Sequence, residues 1–161
     1  MTSTPTTGPA ALAEPTRPYR ILIADDNLQA AELLEAYLGD GEYELRTAYD
    51  GEQTLKAVEE FQPDLILLDI MMPKLTGWEV CKRLRANPKT RHVAVLMVTT
   101  LDQTIDIDRA VEAGTDDFLS KPINKNALLL RVRSLLRAAG YKEQLERALA
   151  YIEAVERDEQ R

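Results

Sequence analysis

The stretch Asp64-Leu65-Ile66-Leu67-Leu68-Asp69-Ile70-Met71-Met72-Pro73 decides the fold. An apolar run this short, opened by Pro63 and Asp64 and closed by Asp69 and a proline-containing loop, predicts a central strand of a parallel sheet, buried on both faces. Such a strand carries one carboxylate, Asp69, to its C-terminal end, and in open α/β sheets the chemistry sits just outside the carboxyl ends of the strands. Alone, Asp69 would only stop a strand and begin a turn. The segments on either side give it company.

Upstream, Arg20-Ile21-Leu22-Ile23-Ala24 is a second short apolar run, and it stops at Asp25-Asp26-Asn27, a good cluster for capping the start of a helix. Leu28, Ala31, Leu34 and Leu38, with Leu33 and Tyr37 alongside, recur at helical spacing and run out at Gly39-Asp40-Gly41. Residues 43–49 alternate weakly as a strand, and Asp50-Gly51 opens a helix carrying Leu55, Val58 and Phe61, which Pro63 ends. Downstream, Gly77 is expected to take a backbone angle that other residues avoid, and Val80, Cys81 and Leu84 mark a helix over 78–85. Residues 93–98 form another buried strand ending in Thr99-Thr100, and the helix from about Thr104 stops at Gly114. Asp117-Phe118-Leu119-Ser120 is a short strand before Lys121-Pro122, and a last amphipathic helix starts near Lys125 with Leu128, Leu129, Val132, Leu135 and Leu136.

Strands alternating with helices through short loops imply an α/β doubly wound parallel sheet with helices on both faces. All strand C-termini then share one edge, so Asp25, Asp26, Asp69, Thr99 and Lys121 arrive together from separate strands. Three carboxylates in one cleft raise one another's pKa unless a cation joins them. Hard oxygen donors without His or Cys favour Mg²⁺, or Mn²⁺, over Zn²⁺. Asp26 and Asp69 are the expected direct ligands, with Asp25 acting through water. A carboxylate, a divalent ion, a lysine and a hydroxyl together suit phosphoryl transfer. Asp69 would become the phosphoaspartate, Thr99 would hydrogen-bond one phosphoryl oxygen and Lys121 would pair with another.

In order and spacing, Asp25-Asp26, the apolar strand into Asp69-Ile70-Met71-Met72-Pro73, Gly77, Thr99, Phe118 and Lys121-Pro122 resemble the receiver domain of two-component response regulators, over about residues 20–139. The resemblance implies a flavodoxin-like (βα)5 fold with strand order 2-1-3-4-5. It also implies a histidine kinase or histidine phosphotransfer protein as the phosphoryl donor, and Mg²⁺ as cofactor. Residue by residue, Asp69 is similar to the phosphoacceptor, Asp26 and Asp25 to the acidic pair around the metal, and Lys121 to the lysine at the phosphoryl group. Met71 is similar to the position whose backbone carbonyl completes the metal shell, Thr99 to the switch hydroxyl and Phe118 to the switch aromatic. Thr100 and Met71 depart from the small and polar residues common at their positions, which implies a slowly lost phosphoryl group. Thr76 replaces the Asp often found before Gly77, which puts the capping bond of that loop in question. The segment from Asp116 to Arg137 resembles receivers that precede diguanylate cyclase or HD-GYP phosphodiesterase modules, though no catalytic signature of either is present.

Composition sets the outer bounds. At 161 residues, 45% hydrophobic and 29% charged, the chain fits one folded domain with short appendages, and its net charge of −7 argues against direct nucleic-acid or anionic-membrane binding. The single Cys81 suits a reducing cytoplasm and reads as a buried apolar residue; His92 reads as a surface residue and Met72 as core filling. Residues 1–18, rich in Thr, Ser, Pro and Ala, read as a disordered leader, and 19–139 as the receiver domain. Residues 140–161 read as a helical extension. In it Tyr141, Leu145, Ala148, Ile152 and Val155 make a short heptad seam, so a coiled-coil stalk and a homodimer are expected if the seam pairs. The chain is expected to be a stand-alone regulator or one cut within a signalling helix, and a signalling receiver rather than an enzyme. The rival within the same fold is a pseudo-receiver that docks proteins without being phosphorylated. A haloacid-dehalogenase-type phosphatase would need an Asp where Met71 stands, and a flavodoxin-like electron carrier would need a phosphate-binding loop where Asp25-Asp26 stand.

Overall fold

A computed structural model describes residues 17–39, 41–100 and 104–160, leaving aside the side chains of residues 99, 104–107 and 110. Nearly all of the expected leader lies outside the described residues. The elements alternate throughout: β1 (Arg20–Ala24), α1 (Leu28–Leu38), β2 (Glu44–Ala48), α2 (Gly51–Phe61), β3 (Leu65–Leu68), α3 (Gly77–Ala86), β4 (Ala94–Thr99), α4 (Thr104–Ala113), β5 (Asp117–Ser120) and α5 (Lys125–Glu159). The strands form one sheet in the order β2-β1-β3-β4-β5, every pair parallel. This is the flavodoxin-like doubly wound architecture expected from the sequence. β3 lies at its centre.

Because successive strand residues face opposite ways, the apolar runs feed two cores. Leu22, Ile66, Leu68, Val95 and Met97 point to the side covered by α2 and α3, where Val58, Val80, Cys81 and Leu84 meet them. Ile21, Ile23, Leu65, Leu67, Leu96 and Val98 point to the other side, against Leu34 and Leu38 of α1 and Leu128, Val132 and Leu136 of α5. Each such Leu, Ile or Val removed from water contributes roughly 1.5–3 kcal/mol, so the strands with no polar face are the ones that fix the register.

Capping residues hold the helix starts beside the sheet edge. The side chains of Asn27, Asp50, Thr76 and Asn124 accept hydrogen bonds from the backbone N–H groups of Ala30, Gln53, Glu79 and Ala127, each worth about 1 kcal/mol relative to alanine. Thr76 therefore supplies the cap that its departure from Asp had put in question. Helix α2 ends at Gln62, which takes a left-handed conformation with φ of 50°, and Gly114, with φ of 87°, follows α4.

Two expectations change. Leu28 and Leu33 of α1 are exposed rather than core, since the sheet takes up only the Ala31, Leu34 and Leu38 stripe. Gly77 does not have a positive φ; in its loop that conformation falls to Lys74, at 71°. Gly77 is required by space instead, because a Cβ there would lie 2.3 Å from the backbone oxygen of Asp69. Helix α5 runs on through Gly140 as a single helix of 35 residues.

Candidate functional site

Asp25 and Asp69 each sit one residue past the end of a strand, and both are still held in the sheet's pattern. The backbone N–H of Asp25 donates to the carbonyl of Ala48 at 3.1 Å and that of Asp69 to Ala24 at 2.9 Å. Their carboxylates therefore project at the carboxyl edge, between β1 and β3. Asp25 is 1% and Asp69 8% exposed, while Asp26 beside them is open to solvent. The three carboxylates can each offer an oxygen such that all lie within 4.8 Å of one another.

Lys121, one residue past β5, reaches across β4's end to both buried acids. Its Nζ donates to Asp25 Oδ2 at 2.9 Å and to Asp69 Oδ2 at 3.4 Å. The other oxygen of Asp25, Oδ1, accepts from the backbone N–H of Asn27 at 2.9 Å. Burial pushes the Asp69 carboxyl above the usual carboxylate range and Asp25 pushes it the same way; Lys121 and a backbone hydrogen bond from Met71 only partly offset this. Burial works to lower the Lys121 ammonium, but the hydrogen bond to Asp25 and the charges of both carboxylates outweigh it and raise its pKa.

The loop after Asp69 is anchored in two places. The backbone N–H of Gly77 donates to the carbonyl of Ile70 at 2.8 Å, the approach that leaves no room for a side chain. On the other side Gly51 donates to the carbonyl of Pro73, and Lys74 reaches Asp50 at 3.6 Å and Glu52 at 3.3 Å, tying the loop to the start of α2. Asn27 and Asp50, read from the sequence as helix-start residues, also support the site, and Lys74 is a support that reading the sequence did not single out. Asp50-Gly51 gave a helix-start signal, but nothing local told that Lys74 would bend back to it. Met71 turns its side chain outward, 70% exposed, and Met72 is buried as expected.

Thr99 ends β4 and pairs with Ser120 of β5, so its backbone stands on the same edge; its side chain lies outside the described part of the structure. Phe118 is half-buried against the core on the α3 side. His92 is exposed and Cys81 buried, and neither belongs to the acidic group. The topology thus brings Asp25, Asp26, Asp69 and Lys121 together with the end of the strand that bears Thr99.

A parallel sheet of this strand order, with a lysine spanning two buried aspartates at its carboxyl edge, has the architecture of a receiver domain. The chain belongs to the response regulator receiver domain family, whose model matches residues 21–133. It is 46% identical over 118 residues to the response regulator PleD of Caulobacter vibrioides, covering 73% of this chain and 26% of PleD. It is 42% identical to the DNA-binding dual master transcriptional regulator RpaA of Synechocystis, covering 73% of this chain and 49% of RpaA. The DNA-binding response regulator MtrA of Mycobacterium tuberculosis is 39% identical, with 76% and 52% covered. The chain thus spans about a quarter to a half of the length of these curated relatives. Among solved structures it resembles a response regulator of Chloroflexus aurantiacus, with a TM-score of 0.72 and 35% identity over 75% of this chain and 99% of that one. It also resembles the chemotaxis protein CheY4 of Vibrio cholerae, at 0.69 and 28% over 73% and 98%. No helix among the described residues is long and apolar enough to cross a membrane.

Proposed function

We propose that this receiver is a working phosphoacceptor in a cytoplasmic two-component phosphorelay, taking a phosphoryl group from a histidine kinase or a histidine phosphotransfer protein onto Asp69. The observation that carries the reading is the lysine bridge: one ammonium within hydrogen-bonding reach of two buried carboxylates. An Oδ of Asp69 attacks phosphorus, the O–P bond forms as the N–P bond of the phosphohistidine breaks, and the electron pair leaves with the imidazole. Lys121, already at Asp69, supplies a fixed positive charge for the arriving oxygens, and the hydroxyl of Thr99 donates to one of them.

The donor set fits a hard divalent cation. It is made of carboxylate oxygens with neither His nor Cys among them, it converges within 4.8 Å, and its most buried acids carry more negative charge than one lysine balances. Asp26 and Asp69, Asp25 through water and the backbone carbonyl of Met71 would hold Mg²⁺, with Mn²⁺ as a substitute. When bound, the ion neutralises phosphoryl oxygens during transfer. The phosphoaspartate adds about −1.5 to −2 of charge at neutral pH. Thr99 moves toward it, Phe118 turns inward, and the surface of α4 and β5 changes its fit to partner proteins. The receiver acts by this surface and by homodimerisation, not by turnover of a substrate; it catalyses only its own phosphorylation and dephosphorylation. Its acidic charge supports protein partners rather than DNA.

The test is labelling by acetyl phosphate followed by mass spectrometry. The wild-type chain gains one phosphoryl group in Mg²⁺ and none in EDTA, and Asp69→Asn gains none. A wild-type chain that stays unlabelled in Mg²⁺ points to the docking-only pseudo-receiver instead.

A further inference from the structure

Beyond Ala139 the helix α5 leaves the domain, and every described residue from 141 onward is exposed. Its surface is not uniformly polar. Ala138, Tyr141, Leu145, Ala148, Ile152 and Val155 recur at alternating steps of three and four along it. At about 100° per residue this stripe runs along the side of α5 opposite Leu128, Val132 and Leu136, which pack on the sheet. A partner helix can therefore lie along it without meeting the domain. A projecting helix of this length, with Gly140 near its base, is marginal in water without such cover.

Charge along the tail is polarised. Residues 133–147 hold four basic and two acidic side chains, and residues 148–159 hold four acidic and one basic. We propose that the tail pairs with the tail of a second copy of this chain in antiparallel orientation, with Arg137 of each copy set beside Asp158 of the other. This rests on the dimer reading given above and fixes its geometry.

Two independent features select the orientation. With the apolar stripe as the seam, a parallel in-register pair sets Arg137 beside Lys142 of the other copy, a repulsion on both sides of the dimer. The antiparallel pair replaces it with two Arg137–Asp158 contacts, and among the described residues neither side chain is engaged in an ion pair within its own chain. Side-chain volume points the same way. In-register parallel pairing stacks Ala138 on Ala138 and Ala148 on Ala148, leaving thin layers, and Tyr141 on Tyr141. Antiparallel pairing sets Leu145 against Ala148, Val155 against Ala138 and Tyr141 against Ile152, so each small residue meets a larger one.

Sedimentation equilibrium on the full chain tests this with exposed-residue variants. The wild type forms a reversible dimer. Arg137→Glu and Asp158→Arg each weaken it by about tenfold, and the two together restore it. A spin label on Asp158→Cys lies about 30 Å from its counterpart in the dimer, since Cys81 is buried and takes no label. A dimer that tightens with Arg137→Glu, or labels found side by side, overturns the antiparallel orientation while leaving dimerisation standing. A chain that remains monomeric overturns the pairing altogether. Acetyl-phosphate labelling of Asp69 is read separately on the same samples, so the phosphoacceptor reading and the tail pairing can fail independently.

Discussion

At the scale of single residues, the decisive fact is that Asp69 is ionisable where the fold would be more stable without a charge. Its folded-state pKa lies above the ordinary aspartate value of about 3.9, with burial the leading cause. A group raised in this way contributes stability at pH below the unfolded value, and that contribution is lost as pH rises through the folded value. At pH 7 and without metal, the carboxylate is therefore a net cost. Asp69→Asn is expected to melt higher than wild type in EDTA at pH 7, by roughly 3–6 °C for about 1 kcal/mol, and the gap should close as pH falls below about 4. Differential scanning calorimetry across that range checks it; a variant that melts lower at pH 7 would contradict the account of Asp69. Lys121 keeps its shorter bond to Asp25 in this variant, so no buried ammonium is stranded.

At the scale of elements, Arg85 of α3 holds two loops at once, residues 91–93 before β4 and residues 114–116 before β5. Its Nε donates to the carbonyl of Gly114 at 2.8 Å, its Nη1 to those of Arg91 and Val93 at 2.8 and 2.6 Å, and its Nη2 to Asp116 at 2.8 Å. Arg85→Ala leaves part-buried carbonyls without a donor and should cost about 2–3 kcal/mol in urea unfolding. Arg85→Lys should recover little of this, because an ammonium cannot reproduce the planar fork. Labelling at Asp69 should persist in both, since these contacts lie away from the acidic edge. Arg85 also shows what the sequence hid. Strands announce themselves by unbroken apolar runs, and the edge where Asp25, Asp69 and Lys121 meet follows from strand ends alone; both were legible in the chain. A charged residue in the last turn of a helix looks like solvent-facing surface until the loops that wrap it are seen. For the same reason Gly77 was recognised as necessary but for the wrong cause: a glycine marks a tight place without telling whether the constraint is torsion or the approach of Asp69. Leu28 and Leu33 were overcounted because helical periodicity gives the width of an apolar stripe, not how much of it the sheet will cover.

At the scale of the whole molecule, the domain and its projecting helix are energetically separable. The described residues past 140 are all exposed, while the packing on the two cores ends at Ala139. A chain ending at residue 139 should keep its melting temperature within about 2 °C, because surface removal away from packed contacts changes stability little, and should still label at Asp69. Far-UV circular dichroism and sedimentation would register the lost helix and the lost pairing. A melting temperature lower by ten degrees or so would show instead that the tail props up the domain.

Strand β5, like β2, is an edge strand of the sheet. It is the outermost on its side of the sheet, bonded along one edge only, and Phe118 and Leu119 on it belong to opposite cores. The residue directly after the strand is Lys121, which grips the acidic pair. A displacement of that ammonium would bear on a slat with one foot in each half of the interior. Under the phosphorylation proposed for Asp69, news of the added charge would leave by two exits at once, toward Ala113 of α4 on one side and toward Leu128 and Val132 of α5 on the other.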